Sequence, residues 1–102
     1  MKIIVVCAAG MSTTMLVAKM KEAARNSDIK IEVTAIPETD VNNNITTADV
    51  VLLGPQVRYK LDEIKEICSP LNIPVEVIDT VKYGMMDGNA IVSQAIELYH
   101  NK

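Results

Sequence analysis

Residues 3–14 read Ile3-Ile4-Val5-Val6-Cys7-Ala8-Ala9-Gly10-Met11-Ser12-Thr13-Thr14. Four unbroken apolar, mostly β-branched residues predict a strand buried on both faces, and the small and hydroxylated residues after them predict a tight turn opening a helix. Cys7 falls at the hinge. A cysteine at the carboxyl end of a central strand faces backbone N–H groups that lack intrahelical partners, together with the positive end of the helix dipole. Such a setting stabilises negative charge on sulfur. The same donors would hold a phosphate carried on the sulfur, and the glycine and hydroxyls beside it make the loop an anion cradle. The plainer reading of a free cysteine, a small inert core residue, stands beside this one.

Outward from that stretch, residues 12–26 predict a helix with Leu16, Met20, Ala23 and Ser27 along one stripe and Lys19, Lys21, Glu22 and Arg25 mostly outside it. Residues 29–36 alternate, with Ile29, Ile31, Val33 and Ala35 on one face and Lys30, Glu32 and Thr34 on the other, the mark of a strand with one wet face. Residues 37–49 are polar and rich in asparagine and threonine. Val41 and Ile45, four apart, give their only helical hint, so a short helix or an irregular crossover is expected there.

Val50-Val51-Leu52-Leu53 is again continuously apolar, hence central, and Gly54-Pro55 ends it. Val57, Leu61, Ile64 and Cys68 then recur at helical spacing until Ser69-Pro70. On that stripe Cys68 reads as a packed core thiol. Residues 75–78 form a fourth strand interrupted by Glu76, as an edge allows, and residues 79–86 read as a loop or short turn. Asp87-Gly88-Asn89 can open a last helix whose inward stripe is Val92, Ala95, Ile96 and Tyr99.

Strands alternating with helices imply parallel pairing through right-handed crossovers, with helices on both faces of an open α/β sheet. If strands one and three are central and two and four are edges, the four-stranded order is 2-1-3-4. The direction of winding then reverses between strands one and three, where ligands of open α/β sheets bind at the carboxyl ends. Cys7 and Gly54-Pro55 both arrive at that crevice.

The 102 residues suffice for one domain, 1–102, with a single core. Three tyrosines are the only aromatics, which gives a stacked flavin or nucleobase little support, and a net charge of -3 argues against nucleic acid. Two cysteines and no signal peptide do not make a disulfide framework, so a reducing cytoplasm is the expected setting. The longest apolar run is far short of the roughly 20 residues of a membrane span, so any membrane connection goes through a partner. Monomer is the default for so small a domain.

Several chemistries suit the cradle, each with its own signature. A Cys-x5-Arg phosphatase loop would place arginine at position 13 to clamp the phosphoryl oxygens, and that position holds Thr13. Such a loop suits a phosphate carrier better than a hydrolase. A thiol redox enzyme would show a nearby resolving cysteine, where this chain has Gly10. A phospho-aspartate receiver would need a carboxylate where Gly54 stands. A cysteine hydrolase would need a histidine base, and the one histidine, His100, lies near the end of the chain. A cysteine-dependent phosphatase or arsenate reductase on the same scaffold, and a non-catalytic regulatory module, remain as alternatives.

Three stretches carry a resemblance: Cys7-Ala8-Ala9-Gly10-Met11-Ser12-Thr13, then Asp49-Val50-Val51-Leu52-Leu53-Gly54-Pro55-Gln56, then Pro74-Val75-Glu76-Val77-Ile78-Asp79. In motif order and spacing the chain resembles the enzyme IIB component of the bacterial phosphoenolpyruvate-dependent sugar phosphotransferase system, lactose/cellobiose branch. The resemblance implies a fold shared with low-molecular-weight tyrosine phosphatases and a relay. A phosphohistidine of enzyme IIA phosphorylates Cys7, the loop Ala8, Ala9, Gly10, Met11, Ser12, Thr13 and Thr14 binds the phosphate, and Cys7 passes it to a sugar held by membrane component IIC. Transfer of this kind needs neither metal nor cofactor, being mostly positioning and charge stabilisation. A partner surface of Met11, Val81, Tyr83, Met85 and Met86 is expected around the sulfur, since methionines adapt to more than one docking protein. Arg58 reads as solvated and Asp79 as a turn or cap residue.

Overall fold

The computed structural model describes residues 1–8 and 11–101, and the side chains of these except Met11, Ser12, Thr13 and Asn43. Its strands are β1 (Lys2–Cys7), β2 (Glu32–Pro37), β3 (Val50–Leu53) and β4 (Val75–Val77). Its helices are α1 (Met11–Arg25), α2 (Val41–Asn44), α3 (Leu61–Cys68), α4 (Thr80–Gly84) and α5 (Gly88–His100). Short 3-10 turns precede α2 at Glu38–Asp40 and α3 at Pro55–Lys60, and Ser69–Leu71 follows α3. The sheet is wholly parallel in the order β2-β1-β3-β4.

The two continuously apolar runs are the central strands, as their composition predicts. Ile3, Val5, Val6 and all of Val50–Leu53 have no exposed surface, and Ile4 is 1% exposed. Odd and even positions feed opposite layers, the period of two doing the sorting. Ile3, Val5, Val50 and Leu52 pack with Leu16, Val17 and Met20 of α1 and Ile91, Val92 and Ala95 of α5. Ile4, Val6, Val51 and Leu53 pack with Val41, Ile45, Val57, Ile64 and Cys68 on the other face. Each such aliphatic side chain contributes roughly 1.5–3 kcal/mol relative to leaving it in water. The spacing of Val41 and Ile45 therefore did mark a short helix.

Several details differ from the sequence expectations. The second strand begins at Glu32, not Ile29, since its register with β1 starts where Lys2 meets Glu32. The amino terminus donates to the Lys30 carbonyl (2.8 Å) and Glu32 N–H to the Met1 carbonyl (2.8 Å), which closes that corner. Its wet face is also incomplete, since Ile36 is buried against the α2 layer.

The stripe of α1 runs through Leu16, Val17, Met20 and Ala24, with Ala23 only partly buried. The segment from Pro55 enters α3 through a 3-10 turn with a kink at Val57, whose side chain is nonetheless fully buried. Pro70 does not end that segment: Ser69–Leu71 continues as 3-10, and Asn72 closes it in the left-handed region (φ 57°), where asparagine is tolerated. Finally, residues 80–84 are a helix, not a loop. Its five residues include four exposed ones, so no apolar stripe announced it.

Among the described residues no helix is long and apolar enough to cross a membrane.

Candidate functional site

Cys7 is the last residue of β1 and lies in register with Pro37 on β2. On the other side, pairing with β3 ends one residue earlier, at Val6 and Leu53. There Gly54 N–H donates to the Val6 carbonyl (2.9 Å) and the chain turns away from β1. Ligands of open α/β sheets bind in the crevice beyond the strand ends, at the point where the winding direction reverses, and Cys7 ends β1 there. The residue is 6% exposed, and the thiol donates to the Ile36 carbonyl at 3.5 Å. The sulfur is thus more covered than a site open to docking proteins suggests, because it belongs to the last turn of pleat of a central strand.

Of the loop residues predicted to hold phosphate, Ala8 and Thr14 are exposed. Ala9 and Gly10 lie outside the described residues. Met11, Ser12 and Thr13 form the first turn of α1, with side chains outside the description.

Side-chain bonds tie together the loops that follow the strands at this end. Glu38, just past β2, accepts from the Tyr59 hydroxyl in the turn past β3, and that bond raises the Tyr59 pKa above the ordinary phenol range. Gln56 Nε2 donates to the Tyr83 hydroxyl on α4 at 3.1 Å. Gly54 lies beneath this second pair: a Cβ there would come within 2.8 Å of Gln56 Oε1 and 3.5 Å of the Tyr83 ring. These contacts join residues 21 and 27 apart in sequence, and no local pattern could have announced them.

Asp79 accepts from Val81 N–H (2.9 Å) and Lys82 N–H (3.1 Å). It is the N-cap of α4, as its turn-or-cap reading anticipates. Arg58 and His100 are exposed. Of the expected partner surface, Val81 is 68% and Met85 71% exposed, whereas Tyr83 and Met86 are half-buried and pack on the α1/α5 core. Met15, 58% exposed in the second turn of α1, was not anticipated. Open grooves of about 590 and 640 Å³ run along the β2 and β4 edges, away from Cys7. A group carried on a strand-end sulfur needs no enclosed cavity, since backbone donors at a helix start can hold it. Among the described residues no cluster of side chains could hold a metal ion.

The fold and this crevice define a class: open parallel α/β domains of the low-molecular-weight phosphatase type, with a cysteine ending the first strand. Comparison with known proteins narrows it. The family described as "PTS system, Lactose/Cellobiose specific IIB subunit" matches residues 2–94. The oligo-beta-mannoside-specific EIIB component of Bacillus subtilis is 40% identical, covering 99% of this chain and 98% of its own. The cellobiose-specific EIIB component of Lactococcus lactis is 37% identical over 90% of each. A solution structure of the cellobiose-specific IIB component from Borrelia burgdorferi, 41% identical, superposes with a TM-score of 0.81 over 100% of this chain and 94% of that one. The lactose-specific IIB domain of Streptococcus pneumoniae shares the fold at 20% identity, with a TM-score of 0.86 over 97% of each chain. The chain belongs to the lactose/cellobiose IIB family of the phosphotransferase system, and is a phosphotransferase of that sugar-transport machinery. IIB components work there with EIIA and membrane EIIC.

Proposed function

We propose that Cys7 is the phosphorylated residue of a cytoplasmic phosphocarrier domain spanning residues 1–102. It accepts a phosphoryl group from a phosphohistidine of enzyme IIA and delivers it to a sugar held by enzyme IIC. The observation that carries this reading is the position of Cys7: the end of the central strand, at the switch point, in a chain of the IIB family.

In the first step a P–S bond forms as the P–N bond of the donor breaks, and the proton lost by sulfur balances the one regained by the imidazole nitrogen. Backbone N–H groups and hydroxyls of residues 8–14 are the donors for the equatorial oxygens, so no metal is needed. In the second step the sugar hydroxyl displaces sulfur and its proton returns to the thiol. The relatives named for oligo-beta-mannoside and cellobiose favour a β-linked sugar, of which cellobiose, chitobiose and lactose are the candidates. Partners dock on the exposed Val81 and Met85, extended by Met11, Tyr83 and Met86.

The test is incubation with phosphoenolpyruvate, the general phosphotransferase proteins and candidate IIA proteins. An alkali-stable, iodine-labile phosphothiol on Cys7 is the expected product. Rapid release of inorganic phosphate from an aryl phosphate would favour a phosphatase instead.

A further inference from the structure

Resting on that reading, we infer that Tyr83 and Gln56 act as one positioning unit, fixing the docking face of α4 at a set offset from the Cys7 sulfur. Of the five residues of α4, all described, only Tyr83 is not exposed. Its ring packs on the α1/α5 core while Val81 and Met85, one helical turn apart, face outward. The helix is held at both ends by its own chain. Asp79 caps the first turn, and Met86, in the left-handed region (φ 52°), lets Asp87 N–H reach the Lys82 carbonyl at 3.0 Å.

A helix so short cannot set its own orientation, since one turn and a half of hydrogen bonds is far below the length at which helices are stable alone. Orientation must come from the residue that anchors it. The Tyr83 hydroxyl accepts from Gln56 Nε2 at 3.1 Å, and Gln56 belongs to the turn whose Gly54 N–H is bonded to the Val6 carbonyl. Val6 precedes Cys7. The path from sulfur to docking face is therefore short: β1 backbone, Gly54, Gln56, Tyr83, α4. Gly54 keeps it compact, because a Cβ there would come within 2.8 Å of Gln56 Oε1. A carrier that meets two partners with one sulfur needs this offset to be constant, whereas neither group has to touch the phosphoryl oxygens.

The experiment measures steady-state phosphotransfer to Cys7 from the phosphorylated cognate IIA protein, for the wild type, Tyr83→Phe, Gln56→Leu and the double variant. Tyr83→Phe keeps the ring and removes only the hydroxyl. Each single variant is expected to raise KM for the phosphorylated donor about fivefold, the size of one lost hydrogen bond, with kcat within about twofold. The double variant is expected to be no worse than either single one. Wild-type KM values in both single variants, a fall confined to kcat, or KM effects that multiply in the double variant would each overturn the inference while leaving the carrier reading intact. A wild type that takes no label would overturn the carrier reading itself. Thermal unfolding of each variant confirms that the fold persists, and a KM effect that tracks lost melting temperature counts against positioning.

Discussion

Cys7 and Cys68 are the same residue type, both buried, both on elements that build the sheet layers, yet their surroundings differ in kind. Cys68 has no exposed surface and sits in the middle of a layer with Ile4, Val6, Leu53 and Ile64. Cys7 retains 6% exposure, its thiol is turned to a backbone carbonyl, and the chain beyond it leaves the sheet. Burial alone therefore does not distinguish the two thiols. What separates them is where the strand stops and which backbone groups lie past its end.

That contrast can be broken most sharply at the sulfurs. Cys7→Ser is expected to abolish the iodine-labile label with the fold intact, while Cys68→Ala leaves labelling unchanged; loss of label from both would erase the distinction. Next in size is Gly88→Ala. A Cβ there would lie 2.4 Å from the Lys19 carbonyl oxygen and 2.6 Å from its carbon, so α1 and α5 must separate. The cost is about 1–3 kcal/mol by denaturant unfolding. Because α1 opens with the loop that follows Cys7, transfer at saturating donor should slow several-fold.

Cys68→Ala is expected to cost about 1–2 kcal/mol through the void it leaves, without slowing transfer, and that pairing of stability loss with intact activity is the control for Gly88. Asp79→Ala should cost about 1 kcal/mol through loss of the α4 cap and leave the pH profile of transfer unmoved, since the carboxylate serves backbone N–H groups. The smallest effect concerns pH. Burial pushes the Cys68 thiol up, so the unfolded chain ionises there first. Stability from this group is complete below the ordinary thiol range and is lost as pH rises through it toward the folded value. Unfolding titrations at successive alkaline pH values should fall less steeply in Cys68→Ala than in the wild type.

The sequence carried the centre of the molecule and missed its rim. β1 and β3 were legible because β-branched runs bounded by glycine have few other ways to be buried, and their centrality imposed the strand order. The beginning of β2 was not legible: Ile29 and Ile31 alternate as well as Val33 does, and only the starting point of the neighbouring strand decides that pairing begins at Glu32. α4 escaped notice because a periodic stripe needs more than five residues to register. At the candidate site, Gly10 and the hydroxyls after it singled out Cys7, and its place at the end of β1 was legible. Gln56 and Tyr83 were named, one in a motif and the other in the partner surface, but their mutual bond was not legible, since a contact across 27 residues leaves no trace in either neighbourhood.

The outer border of β4 has a bearing on how this IIB domain behaves in company. That strand is three residues long, Glu76 stands exposed in its middle, and Gln94 Nε2 donates to the Val77 carbonyl at 3.2 Å. A foreign strand arriving there meets a carboxylate and an already occupied acceptor instead of an open ladder. A domain of a family that works alongside EIIA and EIIC thereby keeps a non-adhesive flank, which disfavours strand-to-strand pairing between copies along that side.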